Sequence, residues 1–368
     1  MKQLTAIALS GGIDSLVAAY LLKEQGHNVI GLHFITGYEA QTHDNDKNRV
    51  FSNTDSSIST TTKEDTCNII SHLADRLGIE VKLLDLSIEF KNKVVDYFLR
   101  TYQAGQTPNP CMVCNRSIKF GTVSDFAHKL GASTLATGHY AGISRDNEGR
   151  FHLSKGIDPK KEQSYFLALM SQKQLACTLF PLGSMTKSEV IKLAQENGLE
   201  PVKKGESQDI CFIRNKNYGE FLALQEGFEP KPGRIVDVNG NLLGHHRGLH
   251  LFTIGQRRGI NCPSSEPYYV VSMDPAQNLL TVGLKKDLLS FECRVKNINW
   301  INQKPNSPIK VHTRVRYRHK AAASKLFPVN GKTAMVRFEK PQSAITPGQC
   351  AVFYQDEEVL GGGWIVSD

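Results

Sequence analysis

Residues Ala8-Leu9-Ser10-Gly11-Gly12-Ile13-Asp14-Ser15 bring together the residue types that hold a phosphate. A short apolar run, Thr5 to Leu9, stops at a glycine pair, and apolar residues at helical spacing follow from Asp14 to Gln25, closed by Gly26. A strand therefore hands over to a helix here. The glycines let the backbone approach an anion, and the helix N-terminus offers unpaired N–H groups and a favourable dipole. Ser10 and Ser15 add hydroxyl donors, while Asp14 is placed to cap the helix or to help hold Mg2+. No Lys-Ser/Thr follows the glycines, so this is not a Walker A loop, and the G-x-G-x-x-G dinucleotide spacing is absent. The bland alternative is an ordinary glycine-rich turn, and SGGIDS at a first strand-to-helix turn is too particular for it.

The second chemistry is sulfur. Thr107-Pro108-Asn109-Pro110-Cys111-Met112-Val113-Cys114-Asn115 sets two prolines and two thiols ahead of an expected helix, and Cys211 follows 97 residues after Cys114 in Gly205-Glu206-Ser207-Gln208-Asp209-Ile210-Cys211-Phe212-Ile213. Proline stiffens such a loop, and a helix N-terminus lowers a thiol's pKa towards the reactive thiolate. Three plainer readings compete. A CxxC can be half a zinc site, but no second CxxC or His pair supplies the remaining ligands. It can be a redox pair, or the thiols can simply be buried hydrophobes, as most of Cys67, Cys177, Cys262, Cys293 and Cys350 are expected to be.

The elements needed to position these groups are legible. Thr5–Leu9, Asn28–Phe34, Ile79–Leu84 and Ser133–Thr137 read as strands; Asp14–Gln25, Lys63–Leu77, Phe90–Tyr102 and Ser117–Leu130 read as helices. This alternation predicts a parallel α/β sheet, whose strand ends bind ligands. Residues 38–62, rich in Asn, Asp, Ser and Thr, read as a surface loop or insertion. Beyond about Arg214 the texture becomes β. Arg234–Val238 and Asn241–Leu243 flank Asn239-Gly240 as a hairpin, Tyr268–Ser272 and Leu279–Val282 suggest another, and alternating strands from Val295 fit a small barrel. The expected domains are 1–214, 215–288 and 289–368.

Of the net charge of +8, +7 lies in residues 215–368, where 20 basic side chains face 13 acidic ones. A basic C-terminal half suggests an anionic partner, nucleic acid first. Arg314, Arg316 and Arg318 would share one face of a strand, and Arg257-Arg258 is a similar candidate. With no signal peptide pattern and no apolar run of membrane length, the expectation is a cytoplasmic monomer.

The glycine loop resembles the PP-loop of ATP pyrophosphatases, which implies ATP with Mg2+ and transfer of AMP; Thr137-Gly138-His139-Tyr140 resembles that group's second nucleotide segment. Together SGGIDS, TPNPCMVCN, ATGHY, KEQSYFL, GESQDICFI, TIGQRRGI, RVRYRH and TPGQCAVFY occur in the order seen in bacterial-type tRNA-specific 2-thiouridylases, from Leu9 to Trp364. The resemblance implies a PP-loop domain, a small central domain and a C-terminal β-barrel. It also implies 2-thiolation of a wobble uridine in tRNA and a persulfide-carrying donor protein. By the same resemblance Cys114 matches the first catalytic cysteine and Cys211 the persulfide cysteine. Phe34 and Gly138 fall at adenosine contacts. Asn109-Pro110-Cys111, Lys161-Glu162-Gln163 and Arg316-Tyr317 fall at tRNA contacts.

One position departs from the pattern. Cys111 stands where many members carry an aspartate thought to act as acid or base. A thiol with a tuned pKa could take that role. A second arrangement places Cys111, Cys114 and Cys211 on three irons of a [4Fe–4S] cluster. Another adenylating PP-loop synthetase, or a tRNA-binding protein that has lost catalysis, are the remaining readings.

Overall fold

The computed structural model describes residues 3–38, 68, 71–201, 210–213 and 217–367. Most of the 38–62 stretch, Cys67, Gly205–Asp209 and Arg214 lie outside the described residues.

The N-terminal sheet is parallel. Its strands β1 (Leu4–Ala8), β2 (Asn28–Ile35), β3 (Glu80–Asp85), β4 (Thr134–Ala136) and β7 (Thr178–Leu179) run in the order β3-β2-β1-β4-β7. The first crossover, through helix α1 (Ile13–Glu24), leads from β1 to β2 on one side, whereas β4 lies on the other side. The order therefore reverses between β1 and β4, which opens a crevice beyond their carboxyl ends. Ile7, Leu9, Leu16, Val17, Ala18, Ala19 and Leu22 are buried in one apolar cluster against β1. The expected strands and the Asp14–Gln25 helix hold here to within a few residues; of the helix expected over Lys63–Leu77 only residue 68 and residues 71–77 are among the described residues, and they are helical.

One boundary differs with consequence. The helix expected to begin at Ser117 begins at Pro110, runs to Cys114, and continues as a π-helix over Asn115–Val123 before Ser124–Lys129. Proline at the first helical position needs no N–H partner and carries the helical φ, so Pro110 starts the helix instead of blocking it. Both thiols are thus inside the helix, not ahead of it.

Strands β5 (Ala141–Arg145) and β6 (Phe151–Lys155) form a hairpin that leaves the parallel sheet, although Ala141 and Leu153 stay in its apolar core. β6 pairs with the last strand of the chain, with Leu153 opposite Val359 and Ser154 opposite Glu358. Farther on, β8 (Gly233–Asp237) and β9 (Leu242–His246) form the expected hairpin, with Gly240 at φ +86° in its turn. β10 (Tyr269–Asp274) and β11 (Leu279–Gly283) form the second hairpin, and β11 joins β8 in parallel to give one four-stranded sheet.

The remaining strands are β12 (Leu289–Trp300), β13 (Ile309–Arg314), β14 (Ala322–Asn330), β15 (Thr333–Ser343), β16 (Cys350–Gln355) and β17 (Glu358–Val366). They follow the order β12-β15-β14-β13-β16-β17, and β17 pairs back onto β12, closing a six-stranded barrel. Closure removes the free edges that such short strands would expose. Its inner cluster includes Val295, Val311, Leu326, Val336 and Phe353. Cys350, Val352, Tyr354 and Val359 instead belong to the apolar cluster of the N-terminal unit, so barrel and sheet share one core. Among the described residues no helix is long and apolar enough to cross a membrane.

Candidate active site

The glycine loop sits at the crevice. Gly11 has φ +80°, a region that L side chains avoid, and Gly12 is the N-cap of α1 with no side chain capping the helix. The first N–H groups of α1 therefore have no side-chain cap, the arrangement that receives an anion. Ser15 donates to the Gly12 carbonyl at 2.8 Å, and its hydroxyl lies 3.4 Å from that of Ser10, so the loop is pinned from within. Ala8 and Leu9 contribute through backbone: the Leu9 side chain is core, and its carbonyl pairs with His33 Nδ1 at 2.9 Å. Phe34 is half-buried near the end of β2.

Asp14 does not cap the helix. Its Oδ1 accepts from the Tyr140 hydroxyl at 2.7 Å and from Lys187 Nζ at 2.7 Å. Both partners lie more than a hundred residues away, and neither was foreseen from sequence. Lys187 opens helix Lys187–Glu196, which is fixed by the capping box of Thr186 and Glu189, and its own N–H donates to Asp158 at 2.9 Å. Gly138 crosses directly over the loop: a Cβ there would lie 2.8 Å from Asp14 C and 2.9 Å from Ser15 N. Only glycine permits that approach. The two segments expected to hold a nucleotide are thus packed on one another.

Cys111 and Cys114 are half-buried in the helix that begins at Pro110. The sequence suggested that a helix N-terminus would lower their pKa values; the fold does the opposite. Burial pushes Cys111 up to about 11, with Cys211 adding to the rise and Lys119 opposing it. Burial pushes Cys114 up to about 12, with Lys119 opposing and the other two cysteines adding. Burial outweighs any help from the helix N-terminus even at Cys111, the second residue of the helix, because the thiolate is the charged form and desolvation disfavours it. Cys111, Cys114 and Cys211 are therefore close enough to perturb one another's ionisation. The same Lys119 acts with burial to hold His139, in the second nucleotide segment, below the usual histidine range.

Cys211 is exposed, on a turn closed by Ile213 N to Ile210 O at 3.0 Å. The turn is anchored by Phe212, which packs in an aromatic cluster with Phe90, Phe98, Tyr38 and Phe221 at centroid separations of 5.6, 5.3, 6.1 and 5.4 Å. Phe212 is a positioning residue that sequence reading passed over; its place beside Cys211 was the available signal. Cys293 and Cys350 are buried, as expected of core thiols.

The proposed cluster does not fit these residues. Among the described residues no group of three or more His, Cys, Asp or Glu side chains is placed to hold a metal ion, the three cysteines included.

The expected tRNA contacts divide. Glu162 is buried and takes Arg314 Nη1 at 2.8 Å. Gln163 is folded back, its Oε1 accepting from Tyr140 N at 3.1 Å. Asn109 is buried with its N–H on the Tyr97 hydroxyl at 3.2 Å. Lys161 is half-buried in the turn after Asp158. The shared arginine face is not formed, because β13 ends at Arg314 and the chain turns. Arg314 points inward beneath the Tyr165 and Tyr317 rings, 5.6 and 5.1 Å from their centroids. Arg316 donates to Ile254 O at 3.0 Å and Thr346 Oγ1 at 2.7 Å. Arg318, like Arg257 and Arg258, is exposed.

Three family models match successive stretches of the chain. The family model described as tRNA methyl transferase HUP domain matches residues 3–215. The tRNA methyl transferase PRC-barrel domain matches 220–284, and the aminomethyltransferase beta-barrel domain matches 290–365. The tRNA-specific 2-thiouridylase MnmA of Desulfosudis oleivorans is 46% identical over 362 residues, covering 98% of this chain and 94% of that protein. The protein of that name from Geotalea uraniireducens is 42% identical, covering 99% and 95% of the two chains. A third, tRNA-specific 2-thiouridylase MnmA 2 of Thermoanaerobacter sp., is 44% identical over 98% of this chain and 97% of its own length. With its glycine loop at the switch point, its gathered cysteines and this likeness along nearly the whole chain, the protein belongs to the tRNA-specific 2-thiouridylase family.

Proposed function

We propose that the chain replaces the C2 oxygen of a tRNA wobble uridine by sulfur, using ATP to activate that oxygen and a persulfide on Cys211 as the sulfur source. The observation that carries this reading is the likeness to tRNA-specific 2-thiouridylases along nearly the whole chain, which spans both the Gly138 segment packed on the Asp14–Ser15 turn and the helix that carries Cys111 and Cys114. A phosphate-binding turn beside thiols suits a reaction that needs both adenylation and sulfur.

The C2 oxygen is a poor leaving group until it carries AMP, which divides one hard step into two. In this reading the uncapped N-terminus of α1 and the Lys187 ammonium beside Asp14 would stabilise the charge that develops on the departing pyrophosphate. Asp14, whose Oδ1 takes Tyr140 and Lys187, would hold an Mg2+ ion accompanying ATP through its other carboxylate oxygen, and the ion would neutralise phosphate charge.

The terminal sulfur of the Cys211 persulfide then attacks C2. Cys114 thiolate attacks Cys211 Sγ, forming a Cys114–Cys211 disulfide and breaking the bond to the transferred sulfur. The released electron pair passes to the sulfur on C2, C2=S forms, and AMP leaves. An external dithiol reduces the disulfide, taking up its oxidation. Cys111 stands in place of the family's aspartate; with its thiol pushed up to about 11 by burial it stays protonated near neutral pH, so in this reading it would donate a proton and not accept one.

Single-turnover thiolation of unmodified tRNA with ATP, Mg2+ and a persulfide donor tests this. Thiouridine formation is lost in Cys114→Ser and Cys211→Ser and retained in Cys111→Ser at reduced rate. Thiolation by Cys211→Ser at the wild-type rate overturns the persulfide route. Pyrophosphate release stimulated by a small carboxylate and not by tRNA overturns the substrate assignment.

A further inference from the structure

The loop that leads to both cysteines is held from the barrel. Pro108 and Pro110 carry no N–H, so this stretch cannot join a sheet, and its carbonyls need donors from elsewhere. Gln349, just before β16, supplies them. Its Nε2 donates to Thr107 O at 3.1 Å and to Pro108 O at 2.9 Å, using both amide hydrogens on successive carbonyls. Thr107 N in turn donates to Pro347 O at 3.0 Å.

The Thr346-Pro347-Gly348-Gln349 turn is built for this approach. Gly348 has φ +87°, and a Cβ on it would lie 2.7 Å from Thr107 O. Its backbone is locked to the end of β17 by Gly348 N to Ile365 O at 3.0 Å and Ile365 N to Gln349 O at 2.9 Å. The central domain joins the same point. Thr253 Oγ1 lies 3.4 Å from Thr107 Oγ1, and Arg316 bridges Ile254 O to Thr346 Oγ1. Two regions far apart in sequence, the 347–349 turn and Thr253, therefore meet at Thr107 and Pro108, three to seven positions ahead of Cys111 and Cys114, and Arg316 ties the two regions to each other.

We propose that Gln349 is a positioning residue of the thiolation reaction: it fixes the Thr107–Pro108 turn so that Cys111 and Cys114 keep their place relative to Cys211 and the bound base. The barrel is thereby part of the catalytic apparatus as well as a surface for tRNA. This rests on the functional reading above, since it presumes that the cysteine loop is the reacting one.

The test uses the full chain with unmodified tRNA, ATP, Mg2+ and a persulfide donor. Gln349→Glu keeps the shape but replaces the donor with a second acceptor facing two carbonyls; Gln349→Lys restores a donor at similar reach. The expected result for Gln349→Glu is a fall of at least tenfold in single-turnover thiolation, with tRNA Kd unchanged within twofold. Hydrogen exchange rises at residues 105–115 and not in the barrel strands. Gln349→Lys recovers most of the rate. Thiolation by Gln349→Glu at the wild-type rate overturns the proposal, as does a rate loss accounted for wholly by weaker tRNA binding. Should Gln349→Glu unfold, Gln349→Lys decides: thiolation near wild type supports the clamp, and its loss with tRNA affinity intact overturns it. Wild-type protein that makes no thiouridine would instead fail the functional reading, a result distinct from any of these.

Discussion

The glycine loop and the cysteine cluster lie in one region but are prepared differently. The loop is made for its ligand in the resting chain: its strained position is glycine, its hydroxyls are bonded inward, and α1 has no side-chain cap at its N-terminus. Cys111 and Cys114 are held in their neutral form by burial, whereas Cys211 rides on an exposed turn. Backbone N–H groups can wait for an anion at little cost because water satisfies them meanwhile. A waiting thiolate would be oxidised or would react with the wrong partner, so a buried thiol is the safer resting state.

That contrast can be broken by experiment, and the largest effect belongs to sulfur. Cys211→Ser should lower thiolation by three orders of magnitude or more while tRNA-stimulated pyrophosphate release persists, read by a radiolabelled pyrophosphate assay. Loss of both activities would show that adenylation and sulfur transfer are not separable.

Next is the loop. Gly138→Ala drives a methyl against the Asp14 and Ser15 backbone, and an overpacked contact of that kind costs about 1–3 kcal/mol. The expected outcome is a KM for ATP raised roughly tenfold or more, with alkylation of Cys114 unaltered.

A pH series sharpens the comparison. With Cys114 pushed up to about 12 by burial, its alkylation by iodoacetamide should still be rising at about pH 11, where an ordinary thiol near 9.0 has levelled off. Lys119→Gln removes the opposing cation and should slow that alkylation at every pH below 9. The same shifts set the stability: the unfolded thiols ionise near 9.0 while the folded ones retain their protons to about 11 and 12. Their contribution is therefore complete below pH 9 and is lost as pH rises through the folded values. Thermal melts of wild type against Cys114→Ser between pH 8 and 11 would show it.

The smallest effect separates two arginines four residues apart. Arg314→Ala leaves Glu162 buried and unpaired, which should cost about 3 kcal/mol of stability. Arg318→Ala, on the exposed turn, should leave stability alone, weaken tRNA binding only a few-fold, and lower the salt slope of binding by about 1. Equal effects of the two on tRNA binding would return Arg314 to the interface.

Local pattern made a good part of this molecule legible. Strand, glycine pair and helix are consecutive, so the phosphate turn could be read directly, and the Asn239-Gly240 hairpin likewise. Residue type alone left the cysteines open between reactive, metal-binding and buried roles, and only the resemblance of the blocks around them singled out Cys114 and Cys211. Only the tertiary structure decided what those groups experience. The Asp14–Lys187 pair, the Arg314–Glu162 pair, the clamp of Gln349 on Thr107 and the β6–β17 junction each join residues 152 to 242 positions apart. No periodicity in the chain encodes such pairings. The thiol pKa values follow the same rule: a helix terminus is a local feature and can be read, whereas desolvation depends on everything that packs around the group, and here it is the stronger of the two.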